Sequence, residues 1–108
     1  MTVGELIKTL NLEPFAVSDG ERVVSGGYVG DLLSWVMGRA NEGDAWVTIM
    51  SNPNIVAVAT LADVSCVILA EGVVPDAGVV EIALAKGVNL LGGGESAFAL
   101  CGRIAKLL

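Results

Sequence analysis

The residues best placed to do chemistry lie in Leu91-Gly92-Gly93-Gly94-Glu95-Ser96-Ala97-Phe98, where the end of an apolar strand runs through glycines into the start of a helix. Glycines let backbone amides approach a ligand, and a helix start offers free N–H groups and the positive end of its dipole. The pattern lacks the lysine of a G-x-x-x-x-G-K-[ST] phosphate loop and is not G-x-G-x-x-G. Glu95 competes with any anion there. Three readings stay open: a plain strand-to-helix turn, a loop holding a neutral or weakly anionic ligand by its backbone, and a subunit contact.

Other hydrogen-bonding groups recur in loops expected to follow strands. These are Gly26 to Asp31 with Tyr28, Ser51 to Asn54, and Glu71 to Asp76 with Gly72. In an open α/β sheet the ligand crevice lies beyond the carboxyl ends of the strands. The ligand-contacting set expected from this placement is Asp31, Ser51, Asn52, Asn54, Gly72, Gly92, Gly93, Gly94, Glu95 and Ser96. A bulky residue at Gly93 is expected to abolish ligand binding while sparing association.

Catalysis has little material. Histidine, the commonest general base and metal ligand, is absent. Ser34 and Ser96 have no partner base. Asp31, Asp76 and Glu95 could converge as an acid–base set or an oxygen-only Mg2+ or Ca2+ site, but no calcium-loop spacing is present, and carboxylates in loops commonly cap helices. A small enzyme using Asp31 and Glu95 is the weakest reading; no catalytic residue, metal or cofactor is expected.

The elements that must position these groups alternate. Thr2 and Glu5 form a capping box opening a helix to about Leu10. Pro14 to Val17 and Arg22 to Ser25 read as short strands around the turn Ser18-Asp19-Gly20, the second more strongly. Asp31 is expected to cap a helix with Leu32, Leu33, Val36, Met37 and Ala40 at helical spacing. Ala45 to Met50 follows as a strand, and Asn54 is expected to cap a helix from Ile55 to Asp63. Then come strand Cys66 to Leu69, helix Val79 to Lys86 stopped at Gly87, strand Asn89 to Leu91 and helix Ala97 to Leu107. Short strands apolar on both sides, alternating with helices, imply a three-layer α/β fold with a mainly parallel sheet and helices on both faces.

The 108 residues make one domain, 1–108, and at 54% hydrophobic content hold more apolar surface than one small core hides, so a homodimer or larger assembly is expected. The helices around Ile55–Ala59 and Val79–Ala85 are apolar nearly all round, which points to burial on several sides, or simply to many alanines. Trp35 and Trp46 are expected in core or interface, Trp35 with Arg39 stacked one turn on. No apolar run reaches the ~20 residues of a membrane helix and no secretory signal is read, so a cytoplasmic protein is expected. Cys66 and Cys101 then read as reduced thiols rather than a redox pair. A net charge of −6 with six scattered Lys and Arg argues against nucleic acid.

From Val24 onward, Val24-Ser25-Gly26-Gly27-Tyr28-Val29-Gly30-Asp31-Leu32-Leu33-Ser34, Trp46-Val47-Thr48-Ile49 and Asn54-Ile55-Val56-Ala57-Val58-Ala59 resemble the DRTGG domain family. Val67-Ile68-Leu69-Ala70-Glu71-Gly72 with Pro75, Ala85-Lys86-Gly87-Val88 and Ser96-Ala97-Phe98 are similar to the N-terminal domain of HPr kinase/phosphorylase. The resemblance implies a regulatory α/β domain that accompanies modules such as CBS pairs or phosphate acetyltransferase catalytic domains. It does not imply kinase activity, because that family's phosphate loop sits in a separate domain. No literal Asp-Arg-Thr-Gly-Gly string occurs here. Two functions follow as expectations: a ligand-sensing regulatory domain for a small metabolite or nucleotide, or an adaptor docking on a partner enzyme through apolar helices.

Overall fold

A computed structural model describes residues 1–108. The capping box forms as the sequence implies: the Thr2 amide donates to Glu5 Oε1 (2.9 Å) and the Glu5 amide to Thr2 Oγ1 (3.1 Å). The Thr2 amide's bond to the charged carboxylate, with help from the Thr2 side chain, holds the Glu5 carboxyl below its usual range. They open α1 (Val3–Leu10), which ends on Asn11 in a left-handed conformation. The chain continues through β1 (Glu13–Ala16), β2 (Gly26–Val29), α2 (Leu33–Arg39), β3 (Asp44–Thr48) and α3 (Asn54–Ala62). It closes with β4 (Cys66–Leu69), α4 (Val79–Lys86), β5 (Leu90–Gly92) and α5 (Ala97–Leu107).

The five strands form one sheet in the order β1-β5-β4-β3-β2. Strands β2 to β5 run parallel, and β1 joins β5 antiparallel. Successive side chains point to opposite faces, and both faces are covered. Trp46, Val67, Leu69 and Leu90 pack with Val36 of α2, Ile55 and Val56 of α3, and Val79 and Ala83 of α4. Ala45, Val47, Cys66, Ile68 and Leu91 pack with Val3, Leu6 and Leu10 of α1 and with Leu100 and Ile104 of α5. The fold is therefore the three-layer α/β arrangement that the alternating pattern implied.

Three local expectations are corrected. Arg22 to Ser25 is not a strand: it follows the start of the chain, with the Val3 amide donating to Arg22 O (2.9 Å), the Val24 amide to Met1 O (2.8 Å), and a lone bridge at Val23. The strand falls on Gly26–Val29, which the sequence placed in a loop. Glycine serves it for space, since a Cβ on Gly26 would stand 2.6 Å from Asp44 Oδ1. Finally, α3 and α4 are not enclosed all round; they bury one side, leaving Leu61 70% and Leu84 51% exposed.

Of the tryptophans, Trp46 is fully buried, its Nε1–H donating to Gly30 O at 2.9 Å. Trp35 is not core: it is half-exposed, with the Arg39 guanidinium 3.7 Å over its ring. Both cysteines are free. Complete burial pushes the Cys66 thiol up to about 12, and partial burial raises Cys101, so neither is an activated thiolate. No helix is long and apolar enough to cross a membrane.

Candidate functional site

The carboxyl ends of the four parallel strands form a rim whose loops are joined by hydrogen bonds. At its β2 end, Asp31 Oδ1 accepts from Thr48 Oγ1 (2.8 Å) and from the Ile49 amide (3.0 Å). Asp31 therefore ties β2 to β3 instead of capping α2, whose cap position is Leu32 with no side-chain bond. Asn54 is likewise not a cap but the first residue of α3; its amide donates to Asn52 Oδ1 (2.9 Å), so Asn52 supplies the capping oxygen. Further along, Ser51 Oγ donates to Asp76 Oδ1 (2.8 Å) and the Asp76 amide to Ser51 O (3.0 Å), joining the loops before α3 and α4.

Glu71 and Gly72 follow β4 in the left-handed region, at φ 61° and 73°. This turn aims their amides at the next loop: Glu71 donates to Glu95 O (2.8 Å) and Gly72 to Gly93 O (3.0 Å), while the Gly93 amide donates to Leu69 O (2.9 Å). Gly92 to Gly94 themselves do not adopt left-handed φ. Their missing side chains provide room. Phe15 lies where a Cβ of Gly92 would go, and a Cβ on Gly93 would meet Leu12 and Leu100 at 3.3 Å, whereas Gly94 faces open space. A bulky residue at Gly93 would thus disturb the core, so Gly94 replaces it as the position that tests ligand contact.

Ser96 caps α5, its Oγ accepting from the Ala99 amide at 3.1 Å. The amides from Gly94 to Phe98 donate to no group of the protein. Glu95 pairs with Arg103, two turns along α5, which offsets the negative charge beside those amides.

Beside this segment a cleft of about 350 Å3 is lined by Glu13, Phe15, Gly72, Val73, Val74 and Gly92 to Gly94. Four residues of the expected set, Gly72, Gly92, Gly93 and Gly94, meet there. Glu95 and Ser96 continue from it into α5, while Ser51, Asn52, Asn54 and Asp31 lie further along the rim. Glu13, Phe15 and Arg103 were missed from sequence. Nothing local announces that β1 will lie beside β5, whereas the spacing from Glu95 to Arg103 is readable once the helix is assigned. A second cleft, of about 240 Å3, lies between β2, β3 and α5 and is almost wholly apolar. The rim cleft is the candidate for a polar ligand, because it has a carboxylate and borders the free amides.

Asp31, Asp76 and Glu95 do not converge. Each is engaged by a different partner, Thr48, Ser51 and Arg103 respectively, and no three His, Cys, Asp or Glu residues stand close enough to hold a metal ion. The arrangement supports recognition by backbone amides, an aromatic ring and one carboxylate.

No protein-family model and no curated protein matches the chain. Among solved structures, the fold is similar to the CBS and DRTGG domains of the regulatory region of a Clostridium perfringens pyrophosphatase, complexed with its activator diadenosine tetraphosphate. The TM-score is 0.75 at 17% identity, and the match covers 99% of this chain but 47% of that one. The chain thus spans about half of that regulatory region and shares the fold of the matched part, which supports a DRTGG-like architecture.

Proposed function

We propose that this chain is a non-catalytic regulatory module that senses a small metabolite or nucleotide at the carboxyl rim of its sheet. The observation that carries this reading is the rim cleft, where Phe15, Glu13 and the Gly92–Gly94 segment lie beside the unengaged amides of Gly94 to Phe98. A ring can stack on an aromatic side chain, and free amides at a helix start favour an anionic group. The solved regulatory region supports the choice of class, since it is complexed with a nucleotide activator. The sequence resemblance to the N-terminal domain of HPr kinase/phosphorylase belongs to the same reading, as does a cytoplasmic homo-oligomer working with a partner enzyme.

Thermal shift and calorimetry with diadenosine tetraphosphate, ATP, AMP and inorganic phosphate test it. A ligand that binds only the folded state raises Tm by mass action. The expected result is a saturable shift for a nucleotide, lost in Gly94→Phe, which keeps the fold because that position is open. Absence of any shift, or a shift unchanged in Gly94→Phe, overturns the assignment. The second reading, an adaptor docking on an enzyme, is favoured by the exposed apolar side chains of Phe98 (90%) and Leu61 (70%). Its mark is enzyme binding lost in Leu61→Asp with nucleotide response intact.

A further inference from the structure

Apart from its shortness, the β2 edge of the sheet carries none of the devices in its sequence that usually keep an edge strand single. Gly26-Gly27-Tyr28-Val29 contains no lysine, proline, bulge or inward charge. The Gly30 amide donates to Val47 O. Alternation along a parallel pair then turns the N–H and C=O groups of Gly27 and Val29 away from β3, toward the open edge. Beneath those residues lies the apolar cleft of about 240 Å3, walled by Val47 and by Ile104 and Leu108. Val29 is 53% exposed beside it, and Gly27 leaves a notch, since an added Cβ would meet only Ala45 O, at 3.6 Å.

We propose that β2 pairs antiparallel with β2 of a second copy of this chain, across a twofold axis at Tyr28, forming one continuous sheet. It rests on the homo-oligomer reading above and names its interface. In this register Gly27 faces the partner's Val29 and exchanges both backbone hydrogen bonds with it. The partner's Val29 side chain fills the notch at Gly27 and closes the cleft, and the symmetry repeats the contact. That fit selects a second copy as occupant, because the projecting residue and the recess are two positions apart on one strand.

The flanks supply the remaining area. Leu32, Trp35 and Arg39 share a side of α2, and the right-handed crossover of parallel strands turns that side over the β2 edge, away from α3. Leu32 is 60% and Trp35 52% exposed. A standard interface takes about 800 Å2 from each partner. Four strand residues with these flanks fall toward the lower limit, so the dimer forms with rising concentration.

Sedimentation of the full chain over a concentration series, with far-UV circular dichroism as a control for folding, tests the interface. Wild type is expected to pass from monomer to dimer, and Gly27→Val to weaken dimerisation by about tenfold or more with unchanged dichroism. Combining Gly27→Val with Val29→Gly restores the fit in the reverse sense and is expected to recover the dimer, an outcome that general destabilisation does not produce. A dimer insensitive to Gly27→Val but broken by Leu84→Asp overturns this interface and leaves the homo-oligomer reading intact. A monomer at every concentration overturns both, and a β2 edge that binds only a foreign peptide overturns this interface.

Discussion

The two edges of the sheet are built on opposite principles. The β1 edge is guarded: it begins at Glu13 and Pro14, its register breaks between Pro14 and Ala16, and its continuation is pinned from inside the fold. The pin is Asn89, whose Oδ1 accepts from the amides of Ser18 (2.8 Å) and Asp19 (2.9 Å) while its Nδ2 donates to Asp19 O (2.8 Å) and Ser65 O (3.0 Å). The β2 edge is regular and uncharged. A guarded edge suits a site that must stay open to a small molecule, and an unguarded one suits a surface covered by another chain. Both edges use a glycine for close packing, Gly92 beneath Phe15 and Gly26 beside Asp44.

The contrast breaks most visibly at Asn89. Asn89→Leu strips four hydrogen bonds from a buried amide and leaves their backbone partners unsatisfied, at an expected cost of about 3–5 kcal/mol by urea denaturation. The β1 continuation should then lose its hydrogen-exchange protection before β2 does. Next comes the shared centre. The Cys66 thiol holds its proton up to about 12 when folded, against an ordinary 9.0, so above pH 9 the unfolded chain binds fewer protons than the folded one. Stability therefore falls by about 1.4 kcal/mol per pH unit between roughly pH 9 and 12, and Cys66→Ala should remove that contribution to the slope.

Smaller effects sharpen the comparison. Gly92→Ala pushes on the Phe15 ring and should cost about 1–3 kcal/mol, with a change in the rim cleft read as altered nucleotide affinity. Gly26→Ala crowds Asp44, whose Oδ2 accepts from the Asn41 amide, and should cost about 1–2 kcal/mol without touching the rim. Gly27→Ala, one residue on, meets only Ala45 O at van der Waals distance and should fall within about 0.5 kcal/mol of wild type. Equal costs at Gly26 and Gly27 in thermal or urea melts would show that the notch is not open.

The fold was legible because its signals are local and redundant. The Thr2–Glu5 box, the Gly87 stop, the Ser96 cap and the all-apolar run Cys66 to Leu69 each announce one element, and their alternation implies the layering. Misreadings arose where a long-range contact outranked local preference. Val23 and Val24 have strand-forming side chains, yet Met1 and Arg22 backbone groups hold that segment against the chain start. Gly26 and Gly27 lack strand propensity, but Gly26 fits where Asp44 leaves no room for a side chain. Asp31 looked like a cap because caps are commonly aspartate, and only the placement of Thr48 beside it redirected its carboxylate. The glycine loop was found by composition, but its partners Phe15 and Glu13 come from a strand far away in sequence, whose pairing no local pattern encodes.

The left-handed turn at Glu71 and Gly72 has a consequence for timing. Because their amides reach the Gly93–Glu95 segment while Asp76 reaches Ser51 and Ile49 reaches Asp31, the loops of the rim share hydrogen bonds across their boundaries. In deuterium-exchange terms the rim is a slow row, Ile49, Glu71, Gly72, Asp76 and Gly93, bordering a fast row from Gly94 to Phe98. A ligand seated on the fast row should slow it alone, leaving the neighbouring row as a built-in clock against which occupancy is read.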